Sequence, residues 1–169
     1  KLMKSKGNIV FLGMMGSGKT SIGKIISKKL KLQFFDIDQQ IEINLGTKIS
    51  DIFNNRGEKF FRELEEKITM DILKKRNVVI ALGGGAFLNK NIRKEILINH
   101  MSFWLNLDNK TLIDRIKNSS KRPLVTNLSK VELINLIKKR SNIYSKALYK
   151  VNCINLTKTD VVEKVINIY

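Results

Sequence analysis

Two hydrophobic periodicities alternate along the chain. Short β-rich runs at residues 8–12, 33–35, 78–82, 102–107 and 151–155 predict strands. Between them, apolar residues recur at helical spacing. Residues 21–30 place Ile22, Ile25, Ile26 and Leu30 on one face, and residues 58–75 do the same with Phe61, Leu64, Ile68 and Ile72. Residues 109–117 predict a short helix with Asp108 as its N-cap. A helix over 129–149 opens on the capping box Ser129-x-x-Glu132, and a last helix starts near Thr159. This alternation predicts an α/β fold with a parallel sheet covered by helices on both faces. The only proline, Pro123, stands in a polar stretch at 118–127 that reads as a mobile loop between two helices.

A length of 169 residues fits one compact domain. No apolar run approaches the ~20 residues of a membrane span, so no membrane partner is expected. Residues 1–7 are polar and the apolar run 9–12 is too short for a secretory leader. The single Cys153 cannot form an internal disulfide and reads as a small apolar residue in a strand. These features agree with a cytoplasmic location. The formal charge of +17 raises nucleic-acid binding. Its lysines, however, are spread in short pairs such as Lys28-Lys29, Lys74-Lys75 and Lys138-Lys139, on the polar faces of the predicted helices. No basic tail or aromatic platform accompanies them, so a solvated surface is the better reading and no nucleic-acid partner is expected. A basic field still attracts anionic ligands.

Directly after the first strand comes Gly13-Met14-Met15-Gly16-Ser17-Gly18-Lys19-Thr20, which matches G-x-x-x-x-G-K-[ST]. Glycines let the backbone turn tightly and aim its N–H groups at phosphate oxygens, and the following helix adds its positive dipole end. Lys19 is placed to reach the β and γ phosphates of ATP, and the Thr20 hydroxyl to ligate Mg²⁺. The strand over 78–82 ends in Gly83-Gly84-Gly85 instead of an acid, so the metal needs another carboxylate. The candidates are Asp36 and Asp38, at the end of the second strand. Period-two alternation puts both on one side with Ile37 turned away, although either acid could simply cap the next helix.

Three arginines stand out, because arginine is scarce beside lysine. Arg62 has Glu65 one turn on to hold its guanidinium. Arg140 shares a stripe with Leu133, Leu136, Ile137, Tyr144 and Ala147, so it needs an anionic partner, either a structural acid or a bound carboxylate or phosphate. Arg122, beside Pro123, is either a solvated loop residue or a lid arginine. Lone His100, near a helix end, reads as a solvated or capping residue without a catalytic role.

Taken together, the segment 13–20, Asp36-x-Asp38, Gly57-Glu58-x-x-Phe61-Arg62-x-x-Glu65, the glycines 83–85, Arg122-Pro123-Leu124 and the set Arg140, Tyr144 and Ala147 resemble shikimate kinase in order and spacing. The resemblance covers almost the whole chain. It implies a three-layer αβα domain over 1–169, a five-stranded parallel sheet in 2-3-1-4-5 order, an acceptor-binding helical segment at about 37–65 and a lid at about 118–128. It implies a monomer that phosphorylates the 3-hydroxyl of shikimate with ATP and Mg²⁺, a step of aromatic amino acid biosynthesis through chorismate.

By the same resemblance, Asp36 holds Mg²⁺ through water beside Thr20, and Asp38 binds the acceptor hydroxyls and orients or deprotonates the reacting one. Arg62, Arg140 and the amides of Gly83, Gly84 and Gly85 clamp the acceptor, with Phe53 and Phe61 as walls. Gly16, Ser17, Gly18, Lys19, Thr20 and Ser21 hold the nucleotide with Arg115, which stacks on adenine. Arg122 meets both acceptor and phosphate, so Lys19, Asp38 and Arg122 are the catalytic set. The segment 155–159 and Lys121 receive no role. Gluconate and nucleoside monophosphate kinases are the nearest rivals. A nucleic-acid-dependent ATPase would instead show a Walker-B acid and a contiguous basic stripe.

Overall fold

In a computed structural model, which describes residues 7–169, five strands form one sheet. They are β1 (Ile9–Leu12), β2 (Gln33–Asp36), β3 (Val78–Ala81), β4 (Met101–Asn106) and β5 (Tyr149–Asn152). All pairings are parallel and the order is 2-3-1-4-5, as the resemblance implied. Among the described residues, eight α-helices accompany them: α1 (Lys19–Leu30), α2 (Ile37–Leu45), α3 (Ile49–Leu73), α4 (Lys90–Asn99), α5 (Asn109–Lys117), α6 (Pro123–Thr126), α7 (Lys130–Tyr144) and, after the last strand, α8 (Lys158–Ile168).

Alternation along the central strands sends neighbours to opposite layers. Val10 and Leu12 of β1 and Ile80 of β3 enter a core with α2, α3, α4, α5 and α7, whose Ile41, Phe61, Ile96, Ile116, Ile137 and Tyr144 are buried. Ile9 and Phe11 pack the other way, against Ile22 and Ile26 of α1 and Val161, Val162 and Val165 of α8. Both faces of the sheet are therefore covered, which explains why its strands read as continuous apolar runs. No helix among the described residues is long and apolar enough to cross a membrane.

Several boundaries differ from the periodic reading. Helix α3 is two helical stretches run together across a kink at Gly57, whose φ of 82° and ψ of 171° are costly for any residue with a Cβ. The helix expected over 58–75 starts after that kink as expected and ends at Leu73, and a further stretch from Ile49 precedes it. The helix expected over 129–149 ends at Tyr144, and Tyr149 starts β5 instead. Ala147 thus lies beyond the helix, its N–H bonded to Tyr144 O at 2.9 Å. The buried Ser102 hydroxyl then takes the Leu148 N–H at 2.8 Å and leads the chain into the sheet. No glycine or proline marks that stop. The stretch expected as a loop at 118–127 contains the single turn α6. Cys153 is buried just past β5, its N–H bonded to Asn106 O. His100 is the C-cap of α4 but is not solvated. Its Nδ1 accepts the Asn8 N–H at 3.1 Å and its Nε2 lies 3.3 Å from Glu95.

Candidate active site

The turn after β1 ends at Gly18, which N-caps α1 in the left-handed region at φ 97° without a side-chain cap. The first amides of α1 are left for an external acceptor such as a phosphate. Lys19 is buried, and its Nζ donates to Gly13 O at 2.6 Å and Met14 O at 3.0 Å. Burial pulls its pKa from 10.5 to about 8, against the opposing pull of Asp38 and Asp36. Ser17 Oγ is buried without a protein partner, and Ser21 lies in the first turn of α1. Gly16 is packed from outside by Arg115. A Cβ there would come within 3.0 Å of Arg115 Cβ, and Arg115 Nη1 donates to Gly16 O at 2.7 Å.

Asp36 serves as cap and cradle neighbour at once. Its Oδ1 accepts the Gln39 N–H at 3.1 Å as N-cap of α2, while its Oδ2 accepts from Thr20 Oγ1 at 2.5 Å. The cap corrects the alternation argument. Because β2 stops at Asp36, Asp38 stands in the first turn of α2 and not on a strand, with the intervening Ile37 in the core. Asp38 still faces the cradle, where it is the largest electrostatic support for a charged Lys19. Thr20 and Asp36 supply one hydroxyl and one carboxylate. No cluster of three metal-binding side chains exists among the described residues. That donor set fits Mg²⁺, which takes few protein oxygens and completes its shell with water and phosphate.

The glycine turn after β3 is the floor on which the other groups converge. A Cβ on Gly83 would meet Asp38 Oδ1 at 2.7 Å, one on Gly84 would meet Arg140 Nη1 at 3.3 Å, and one on Gly85 would meet Arg62 Nη1 at 2.5 Å. None of the three has a positive φ, so space and not backbone conformation requires glycine here. One glycine backs each functional group.

Arg62 Nη1 donates to Glu65 Oε1 at 2.9 Å, and its Nε lies 3.7 Å from Glu58. Glu65 is almost wholly buried, and desolvation raises its pKa despite the guanidinium beside it. Arg140 Nε is buried without a partner, and no ion pair among the described residues includes Arg140. Of the two partners open to it from sequence, the structural acid is therefore missing. Tyr144, one turn on, donates its hydroxyl to Gly84 O. Burial raises that phenol to about 12, with Arg140 pulling the other way.

Arg122 reaches across from the segment after α5. Its Nη2 donates to both oxygens of Asp38 at 3.0 Å, and its guanidinium lies 5.0 Å from the Phe61 ring and 5.8 Å from Phe53. The two rings meet tilted by 34°, their centroids 4.6 Å apart. Phe61 is fully buried and Phe53 partly so, which leaves Phe53 the more open surface. The structure thus gathers Lys19, Asp36, Asp38, Arg62, Gly83–Gly85, Arg122 and Arg140 into one region. Sequence reasoning missed the hydroxyl of Tyr144 and the contacts of Lys117 described below. A tyrosine in a helical stripe and a lysine at a helix end look like core and surface.

The shikimate kinase family model matches residues 15–169. The chain is 38% identical over 160 residues to a shikimate kinase from Sulfurihydrogenibium sp., covering 94% of this chain and 95% of that one. In three dimensions it is similar to a shikimate kinase from Acinetobacter baumannii solved in complex with shikimate. The TM-score is 0.91 at 27% identity, over 98% of this chain and 93% of that one. It is also similar to the enzyme from Aquifex aeolicus, with a TM-score of 0.85 at 32% identity, over 95% and 94% of the two chains. Cradle, acids, guanidiniums and relatives agree: the chain belongs to the shikimate kinase family.

Proposed function

We propose that this protein transfers the γ-phosphoryl group of ATP to the 3-hydroxyl of shikimate, giving shikimate 3-phosphate and ADP on the route to chorismate and the aromatic amino acids. The observation that carries this reading is the glycine turn, where Asp38, Arg62 and Arg140 each stand against one glycine beside the phosphate cradle. Two guanidiniums and one acid around a small space suit a hydroxylated ring bearing one carboxylate.

The amides of 16–21 and Lys19 hold the phosphates of ATP. Thr20, and Asp36 through water, would hold Mg²⁺, which would offset negative charge on the phosphates of ATP. Asp38 accepts a hydrogen bond from the reacting hydroxyl and draws its proton as the new P–O bond forms. Arg62 and Arg140, with the amides of Gly83–Gly85, grip the carboxylate and ring hydroxyls, and Phe53 with Phe61 forms the apolar wall. Arg122 moves from Asp38 to the transferring phosphoryl oxygens, where charge spreads in the transition state. Arg115, beside Gly16, takes the adenine face.

We place the enzyme in the cytoplasm as a monomer. Its single domain spans 1–169, with an acceptor-binding segment at about 37–65 and a lid at about 118–128. The kinked α2–α3 region and the crossing of Arg122 to Asp38 support that division. ADP release measured against shikimate, gluconate and nucleoside monophosphates tests the acceptor, and failure of shikimate to stimulate release would refute it. In the same assay Arg62→Ala should lose acceptor use while retaining nucleotide binding.

A further inference from the structure

We infer that Lys117 is a positioning residue for phosphoryl transfer, because it closes the segment carrying Arg122 into a loop fastened at its own base. The assignment rests on the lid role of Arg122 proposed above. Lys117 is the last residue of α5, and its ammonium donates to the carbonyl oxygens of Thr126, at 3.1 Å, and Leu128. Thr126 is the last residue of the single turn α6 and Leu128 lies two residues beyond it, and so short a turn cannot pair these carbonyls internally. An ammonium with three donors satisfies two at once.

A second fastening points to the same place. Thr126 Oγ1 donates to Ser119 O at 2.9 Å, and lies 3.4 Å from Ile116 O. Both ends of the segment 118–128 therefore meet at the C-terminus of α5. Inside the loop, the Arg122 carbonyl accepts the N–H groups of Val125 at 3.1 Å and Thr126 at 2.9 Å. The backbone of Arg122 is thus one hydrogen-bonded turn from the residue that Lys117 grips. Helix α5 also holds the phosphate turn through Arg115 and Gly16. Lys117 further supports the negative charge of Glu132 in the capping box that opens α7, the helix bearing Arg140. The ammonium stands where the lid, the nucleotide-side helix and the acceptor-side helix meet.

Its absence would leave Arg122 present but loosely aimed. Water would then reach the γ-phosphate more often, attack phosphorus and release ADP and inorganic phosphate without phosphorylating the acceptor. The test compares wild type, Lys117→Met and Lys117→Arg. It measures ADP and shikimate 3-phosphate separately, ADP affinity by calorimetry, and amide exchange over 118–128 in the free protein. Lys117 is exposed, so Lys117→Met should keep its melting temperature and ADP affinity. It should lose about tenfold in kcat, form less than one shikimate 3-phosphate per ADP, and exchange faster over 118–128. Lys117→Arg should recover most of each. Wild-type exchange over that segment, or one product per ADP in Lys117→Met, overturns the assignment. The exchange arm needs no acceptor, so it decides even where wild type ignores shikimate, a result that would fail the proposed function alone.

Discussion

Replacing Gly85 by alanine separates acceptor positioning from folding more cleanly than removing a charged group does. Its φ of −99° suits any residue, so the substitution introduces no backbone strain. The added methyl would stand 2.5 Å from Arg62 Nη1, 2.7 Å from Nη2 and 2.9 Å from Cζ, where ordinary contact begins at 3.4 Å. The guanidinium must retreat by about 1 Å, and a displacement of that size costs on the order of 100-fold where orientation matters. That corresponds to about 2.7 kcal/mol of transition-state stabilisation. Because the clash is with the far end of a flexible side chain, the fold can absorb it. Steady-state kinetics should therefore show kcat/KM for shikimate falling about 100-fold, chiefly through KM, while ADP affinity and thermal midpoint hold. Wild-type kcat/KM in Gly85→Ala would refute the view that this glycine exists to make room for Arg62. A collapse in stability would refute the view that the clash is local.

Burial holds the pKa of Lys19 at about 8, so the nucleotide-free fold carries a charged amine at a cost near neutrality. Lys19→Met should thus raise the melting temperature of the free protein, by up to about 3 kcal/mol in stability, while abolishing transfer; a lower melting temperature would contradict this. His100 must be neutral at Nδ1 to accept the Asn8 N–H, and burial lowers its pKa. Below its unfolded value of 6.5 the unfolded chain binds more protons, so this stability is present above 6.5 and lost as pH falls through the folded pKa. Thermal midpoints from pH 7 to pH 5 should fall less steeply in His100→Phe than in wild type. Trp104, the only tryptophan, lies beneath the phosphate turn, its Cδ1 3.5 Å from where a Cβ of Gly13 would stand. Its fluorescence should change on adding ADP and stay unchanged with shikimate alone.

Local chemistry carries much of this protein in its sequence. Alternating periods, the phosphate motif and the capping box at Ser129 act through neighbours a few residues apart, so strands, most helices and the nucleotide side were legible. Elsewhere, local pattern and global packing compete. The helix of Arg140 stops at Tyr144, and a buried serine 46 residues before Leu148 captures the Leu148 amide and draws the chain into β5. Asp36 ends β2 because its carboxylate caps α2 while facing Thr20, which moves Asp38 off the strand. The reason for three successive glycines is equally remote: each leaves space for a side chain from α2, α3 or α7. Sequence by itself determined the layers and the cradle, whose interactions are short-range. Only the tertiary structure decided how Asp38, Arg62, Arg122 and Arg140 meet, because four elements separated along the chain must pack before those charges share one space.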